Sequence, residues 1–274
     1  MQINEFYKHF CEELRQNRSL FPYYKLTDGS LSQQNFRKAY FIQRLEYINC
    51  HIKTEKNPVI WDCGCGYGTT GLFFAMNKQP VMGTTLEYYS NEWQKRCDFW
   101  NKFGNTTLFS YQYANLFDQK IEEESFDYII LQDTLHHIEP VEEGLKIFNR
   151  ALKKGGKLIL IEENGACLLK RFMLYRQRGN KRVVSVYDDV LGKEILMGNE
   201  NIRSEQQWLK LFNNNGFSLV EDSLKYIRFF PAFYFKENNL NEIIEKEQNI
   251  WKNNRFLREK FFFGLNMTFK KESF

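Results

Sequence analysis

The sequence is short of several features that would place it outside the ordinary globular class. No run of about 18 apolar residues occurs, so no transmembrane helix is expected. The stretch MQINEFYKHFCEELRQ carries charges throughout and lacks the apolar centre of a signal peptide, so a cytoplasmic protein is expected. Cys11, Cys50, Cys63, Cys65, Cys97 and Cys167 form no CxxC pair and no Cys/His zinc spacing. Reduced thiols and no metal site follow as expectations. Charge of one sign is not in large excess: 38 basic residues against 34 acidic ones leave +4, too mild to imply a nucleic-acid partner.

What is present is 274 residues, long for one minimal domain and short for two full ones. Hydrophobic residues at 43% and charged residues at 26% are ordinary for a globular chain. Aromatic residues reach 17%, with 26 Phe and 15 Tyr, which points to a Phe-rich core.

The pattern begins helical. NEFYKHFCEELRQ repeats apolar residues at Phe6, Phe10 and Leu14. Ser30 caps a second helix, which Asn57-Pro58 breaks. From residue 58 short apolar runs alternate with helical segments, the signature of a parallel α/β sheet. Strands are expected at 58–62, 80–87, 106–114, 126–133 and 157–163. The helix over 141–154 is expected to stop at Gly155-Gly156. Residues 164–203 break the rhythm: a Lys- and Arg-rich helix, then a segment without clear period that reads as an inserted loop or small lid. A helix before Gly216, a sixth strand, one long helix over 239–260 and a closing strand follow.

VIWDCGCGYGTTG (59–71) carries the functional signal. A buried strand ends in Asp62, and Gly64, Gly66, Gly68 and Gly71 follow. Glycines let the backbone turn sharply and approach a ligand, and the next helix points its amides at that turn. Two registers fit. From Gly66 the pattern is G-x-G-x-x-G with Glu87 about 20 residues on, as in dinucleotide folds. From Asp62 it is D-x-G-x-G-x-G. An acid beside the turn repels a pyrophosphate. The same acid attracts the amino acid end and the cationic sulfur of S-adenosylmethionine (SAM).

From Asp62 onward the chain resembles the class I SAM-dependent methyltransferases, especially the ubiquinone and menaquinone C-methyltransferases. The residues that carry the likeness are Asp62-Cys63-Gly64-Cys65-Gly66-Tyr67-Gly68, Gly83-Thr84-Thr85-Leu86-Glu87, FDYIILQDTLHHIEP (126–140), LKKGGK (152–157) and Asn215-Gly216-Phe217. The resemblance implies a Rossmann-like seven-stranded, mostly parallel sheet with the last strand antiparallel and helices on both faces. It implies an N-terminal helical cap at 1–57 and a SAM-binding domain at 58–274, with 164–203 as a lid or substrate insertion. Asp62, Gly64, Cys65, Gly66 and Gly68 would hold SAM, and S-adenosylhomocysteine would be the product. The ribose acid usually stands where this chain has Thr85, so the ribose falls to Glu87 or to Thr85 with Leu86. The stretch is similar there to cyclopropane-fatty-acid synthases. Asn115 would accept from the adenine amino group, Leu116 would touch the ring through its backbone, and Gln132 would face the methionine part.

Methyl transfer is an in-line displacement, so the protein mostly positions and desolvates. A hydroxyl acceptor also needs a base. His136 and His137 are candidates because imidazole titrates near neutrality, and Asp133 could orient His137 or the substrate. The same histidines could instead only shape the pocket. Tyr40, Tyr175, Arg176 and Tyr187 are candidate substrate contacts. Lys170, Arg171, Arg176, Arg178, Lys181 and Arg182 form a basic cluster. It reads as a solvated face or as a dock for an anionic or carrier-bound acceptor. The N-P-P-Y/F motif of amino-methylating nucleic-acid enzymes is absent after the fourth strand. A small-molecule or lipid-like acceptor is therefore expected, and no nucleic acid. The competing readings are an NAD-dependent oxidoreductase and a non-catalytic SAM-fold subunit.

Overall fold

The computed structural model describes residues 1–53, 57–86, 90–236 and 239–272. By internal contacts the chain divides into two compact units, residues 1–115 with 230–249, and residues 116–229 with 250–274.

The first unit opens with α1 (Ile3–Gln16), a short α2 (Phe21–Tyr24) and α3 (Leu31–His51). The Ser30 hydroxyl accepts from the Gln33 amide, so α3 starts where its cap was read. Two βα steps and a third strand follow: β1 (Ile60–Cys63), α4 (Thr69–Met76), β2 (Val81–Thr85), α5 (Ser90–Trp100) and β3 (Phe109–Tyr113). The strand order is β3-β2-β1, all parallel, with Ile60 beside Val81 and Val81 beside Phe109. Every residue of β1 is buried, as a parallel strand covered on both faces requires. Phe6, Phe10 and Leu14 are buried on one face of α1. The Phe6 ring lies 4.6 Å from Trp100 and 5.3 Å from Phe73. Each such side chain contributes roughly 1.5–3 kcal/mol by leaving water.

One polar group sits inside that apolar face. Glu13 is 1% exposed and Arg96 of α5 is 0% exposed. Arg96 Nε and Nη2 donate to the two Glu13 carboxylate oxygens at 2.7 and 2.8 Å, and Trp100 Nε1 adds a bond of 2.8 Å. The remaining guanidinium nitrogen donates to the Tyr67 carbonyl at 2.6 Å and to the Thr69 hydroxyl at 3.0 Å. The fork is thus filled on both sides, the condition under which a buried ion pair is tolerated.

The second unit holds β4 (Phe126–Gln132), α6 (Val141–Ala151), β5 (Leu152–Glu163), α7 (Leu168–Arg178), β6 (Val183–Asp188), β7 (Lys193–Gly198), α8 (Glu205–Asn214), β8 (Phe217–Leu219) and β9 (Lys225–Ile227). The tail of α9 (Leu240–Asn253), α10 (Arg255–Phe261) and β10 (Gly264–Lys271) complete it. β4 pairs parallel with β5, and β10 runs antiparallel to β5, β8 and β9. The expected mostly parallel sheet with an antiparallel closing strand is therefore observed. Phe212 stacks on Phe269 at 3.7 Å in its core.

Four local expectations are corrected. Gly155-Gly156 do not end α6: the helix stops at Ala151, and both glycines lie within β5. Partnership there jumps from Phe126–Leu152 to Tyr128–Lys157, so the glycines fill a bulge. The segment after α7 is no irregular loop but a β6-β7 hairpin. The Asp188 side chain closes its turn on the Val190 and Leu191 amides. Most of β6 is exposed, so no apolar alternation marked it. The sixth strand is split into β8 and β9, both held by β10. The long helix breaks at Asn254, whose side chain caps α10 through the Leu257 amide at 3.0 Å. All six thiols are free. No helix among the described residues is long and apolar enough to cross a membrane.

Arg96→Met should destabilise the protein by about 3–5 kcal/mol, because it strands a buried carboxylate. The double variant with Glu13→Met should recover most of that loss. Urea unfolding of the three proteins reads the comparison.

Candidate functional site

The glycine turn sits between β1 and α4. Gly64, Gly66 and Gly68 have φ of 78°, 52° and 78°, a backbone that side chains rarely adopt. The Gly64 and Cys65 amides both donate to the Thr84 carbonyl, at 2.7 and 3.0 Å, which ties the turn to β2. Arg96 holds the Tyr67 carbonyl, and Tyr24 shares a 2.6 Å hydrogen bond with Thr69 at the first turn of α4. A Cβ on Gly68 would stand 2.3 Å from the Phe109 ring. The turn is therefore clamped from behind by an arginine, a tyrosine and a phenylalanine.

Asp62 ends inside this turn. It is 2% exposed, and its Oδ2 is buried without a hydrogen-bond partner. Burial pushes its carboxyl up to about 7, only partly opposed by the Gly71 amide. A carboxylate held this way lacks a donor or a cation. Cys65 is half-buried beside it. Thr85 is buried, and its carbonyl accepts from Ala114 at 2.9 Å; Leu86 is half-buried. Glu87 lies outside the described residues. Asn115 is buried at the end of the first unit.

The other predicted residues belong to the second unit. Leu116 starts a buried 3-10 turn. Gln132 ends β4, and Asp133 follows with φ 52°, its amide donating to Ile161 at 2.8 Å. His136 and His137 share the 3-10 turn Leu135–His137. His136 is 3% exposed, and its Nδ1 donates to Glu162 at 2.5 Å. Burial disfavours the charged ring, but the charge and hydrogen bond of Glu162, helped by Glu200 and Asp133, outweigh it and raise its pKa to about 9. The carboxylates around it thus favour a proton on the empty His136 ring, which speaks against His136 as the base. His137 is 38% exposed, and its Nδ1 donates to the Gly198 carbonyl at 2.9 Å. That bond leaves Nε2 as the acceptor nitrogen of the neutral ring.

Glu162 and Glu200 were not singled out in the sequence. The first had a signal, an acid inside the apolar strand KLILIEE. The second had none, because it reaches the histidines only through the β6-β7 hairpin. Among the proposed substrate contacts, Tyr40 belongs to the first unit and lies under the Arg44 guanidinium at 4.7 Å. Tyr175, Arg176 and Tyr187 are all exposed in the second. The basic cluster is divided in its duties. Lys170 pairs with Glu163, Arg178 donates to the Glu200 carbonyl, and Arg176 lies over Phe172. Arg171 and Arg182 line a cleft of about 350 Å³.

Residues 61–160 match the family model of a methyltransferase domain. A SAM-dependent methyltransferase from Methanosarcina mazei is 16% identical, with 82% of this chain and 96% of that one covered and a TM-score of 0.53. A putative S-adenosylmethionine-dependent methyltransferase from Listeria monocytogenes is 16% identical over 84% and 98%, with a TM-score of 0.55. The [4+2]-cyclase SpnF is 15% identical over 79% and 75%, with a TM-score of 0.50. No curated protein matches in sequence. The chain has the Rossmann-like α/β fold seen in these SAM-dependent methyltransferases, and the match to the methyltransferase-domain model spans its glycine turn and both histidines.

The raised Asp62 carboxyl carries a pH signature. The folded protein keeps this proton up to about pH 7, whereas the unfolded chain loses it near the ordinary carboxyl value. The unfolded state then binds fewer protons, so the contribution of Asp62 to stability falls as pH rises between those values. Relative to Asp62→Asn, the wild type should lose stability between about pH 4 and about pH 7. Thermal melts across that range check it; parallel curves would contradict it.

Proposed function

We propose that the chain is a methyltransferase that uses SAM and acts on an amphipathic, anionic small molecule or lipid. The observation that carries the cofactor is the unpartnered, buried Oδ2 of Asp62 at the head of a glycine turn. A dinucleotide pyrophosphate would bring negative charge to that carboxylate. The ammonium of SAM brings a donor and a cation, so the residues fit SAM and disfavour NAD.

Bound SAM supplies a methyl on a cationic sulfur, whose departure needs no protein acid. Asp62 accepts from the amino acid end, and the backbone at Gly64, Gly66 and Gly68 gives the ligand close approach. The Asn115 side-chain oxygen can accept from the adenine amino group. Thr85 and Leu86 are the described candidates for the ribose, with Glu87 next in sequence. An acceptor hydroxyl also loses a proton. His137 presents Nε2 for that task, directly or through a group bound there, because its Nδ1 is committed to Gly198. The fold by itself does not dictate transfer, since the cyclase SpnF is built the same way.

The acceptor class rests on α7 and the residues around it. Leu168, Leu169, Phe172, Met173 and Tyr175 are exposed, an apolar surface interleaved with Lys and Arg. Apolar area beside basic side chains suits an acyl or prenyl body carrying an anionic group.

Calorimetric titration tests the cofactor. SAM should bind and NAD should not, and Asp62→Asn should weaken SAM by about 10–100-fold, the loss of one charged hydrogen bond. Uptake of NAD in place of SAM would sink the proposal. With an acceptor in hand, His137→Ala should lower kcat while SAM affinity holds. Raised salt should weaken acceptor binding.

A further inference from the structure

The geometry points to a second site: we propose that His136, His137 and Glu200 bind a divalent first-row transition metal. One donor atom from each residue lies within 4.8 Å of the others. His136 Nε2 stands 4.0 Å from one Glu200 oxygen, and His137 Nε2 stands 3.9 Å from the other. Donors around one tetrahedral ion, at bonds of about 2.0–2.2 Å, stand roughly 3.3 Å apart. Closure on an ion therefore asks the two histidine–glutamate pairs to tighten by about 0.6–0.7 Å, and the widest separation in the group, at most 4.8 Å, by up to about 1.5 Å.

The surroundings are what a pair of ligating imidazoles needs. Each ring has its Nδ1 hydrogen bonded away from the cluster, His136 to the Glu162 carboxylate and His137 to the Gly198 carbonyl. This commits both Nδ1 atoms and leaves both Nε2 atoms near Glu200; an ion bound at His136 Nε2 would take the place of the proton that the carboxylates attract there. A carboxylate behind one histidine and a backbone carbonyl behind the other is the usual support of metal-ligating imidazoles. Glu162, Glu200 and Asp133 also surround the pair with negative charge.

Glu200 is placed there by construction. Its φ of 53° is a left-handed conformation that costs a non-glycine residue energy. The segment around it is pinned. The Asn201 amide donates to the His136 carbonyl at 3.2 Å, and Met197 bridges to Ile138. Glu139 accepts from Asn201 at 2.5 Å and from Arg203 at 2.9 Å. Gly198 tolerates no side chain, for a Cβ would stand 1.9 Å from the His136 carbonyl oxygen. A hairpin end bound so tightly to the histidine turn delivers one carboxylate to two imidazoles.

Two nitrogens and one oxygen suit zinc, cobalt, iron or nickel, and not magnesium or calcium. Three protein ligands leave at least one coordination position open, for water or for an oxygen or nitrogen of the acceptor. That last use rests on the methyl-transfer reading; the metal site does not.

The test uses the full chain freed of metal by chelation. Cobalt(II) titration followed by visible absorbance should report one tetrahedral or five-coordinate site, and zinc should displace the cobalt. Calorimetry should give zinc a dissociation constant of about 1 μM or tighter, with no magnesium binding. His137→Ala and Glu200→Gln should each weaken zinc at least tenfold, and His51→Ala should leave it unchanged. Circular dichroism melts establish that the variants fold. A wild-type protein without zinc affinity, or zinc affinity unmoved in folded His137→Ala and Glu200→Gln, overturns the proposal. SAM titration of the metal-free protein tests the cofactor reading separately.

Discussion

The first unit depends on a charge that should be expensive. Glu13 and Arg96 lie fully inside an aromatic core, where an unpaired ion is among the least tolerated groups. What makes the pair stable is completeness. The carboxylate accepts from Arg96 twice and from Trp100, and the guanidinium spends its last nitrogen on Tyr67 and Thr69. The consequence for function is positional. A glycine turn is the least rigid kind of backbone, and this network joins α1 and α5 to it. The turn is thereby held open in one shape before any ligand arrives, which reduces the ordering cost of binding.

Preorganisation of the turn explains how Asp62 can sit where it does. Its carboxyl is buried, raised to about 7 and left with a lone oxygen. Such a group lowers the stability of the empty protein and favours any ligand that brings a donor and a positive charge. Stability is given up at the place where affinity is gained, a common trade at binding sites. On the proposed function, a neutral carboxyl in the empty protein and a carboxylate beside bound SAM would be two settings of the same group.

The second unit builds its cluster differently. Here the rigid parts are main chain: the 3-10 turn that carries both histidines and the hairpin end that meets it. Side chains from β5 and from the hairpin approach the imidazoles from opposite sides, Glu162 at one Nδ1 and Glu200 at the Nε2 atoms. The hairpin is thus more than a cover over the fold. Its exposed strand and the apolar, basic helix before it face solvent, while its far end supplies a carboxylate to a buried histidine.

The alternation of short apolar runs with helical segments, the Ser30 cap and the D-x-G-x-G-x-G turn were legible because they are local. Burial of a strand, capping of a helix and the conformational freedom of glycine are properties of a few neighbouring residues. For the same reason Asp62 and the histidine pair stood out as candidates, while Asn115 and the antiparallel closing strand came from resemblance. It could not mark Arg96 or Glu200. The value of those residues lies in partners far along the chain, Glu13 for one and His136 and His137 for the other, and no local period records such a meeting. The hairpin escaped because an exposed strand needs no apolar alternation, and Gly155-Gly156 misled because glycines end helices and fill bulges equally well. Composition and short-range pattern determined which elements form; only the folded chain decided which charges are buried together, because burial and pairing are set by packing and not by neighbours in sequence.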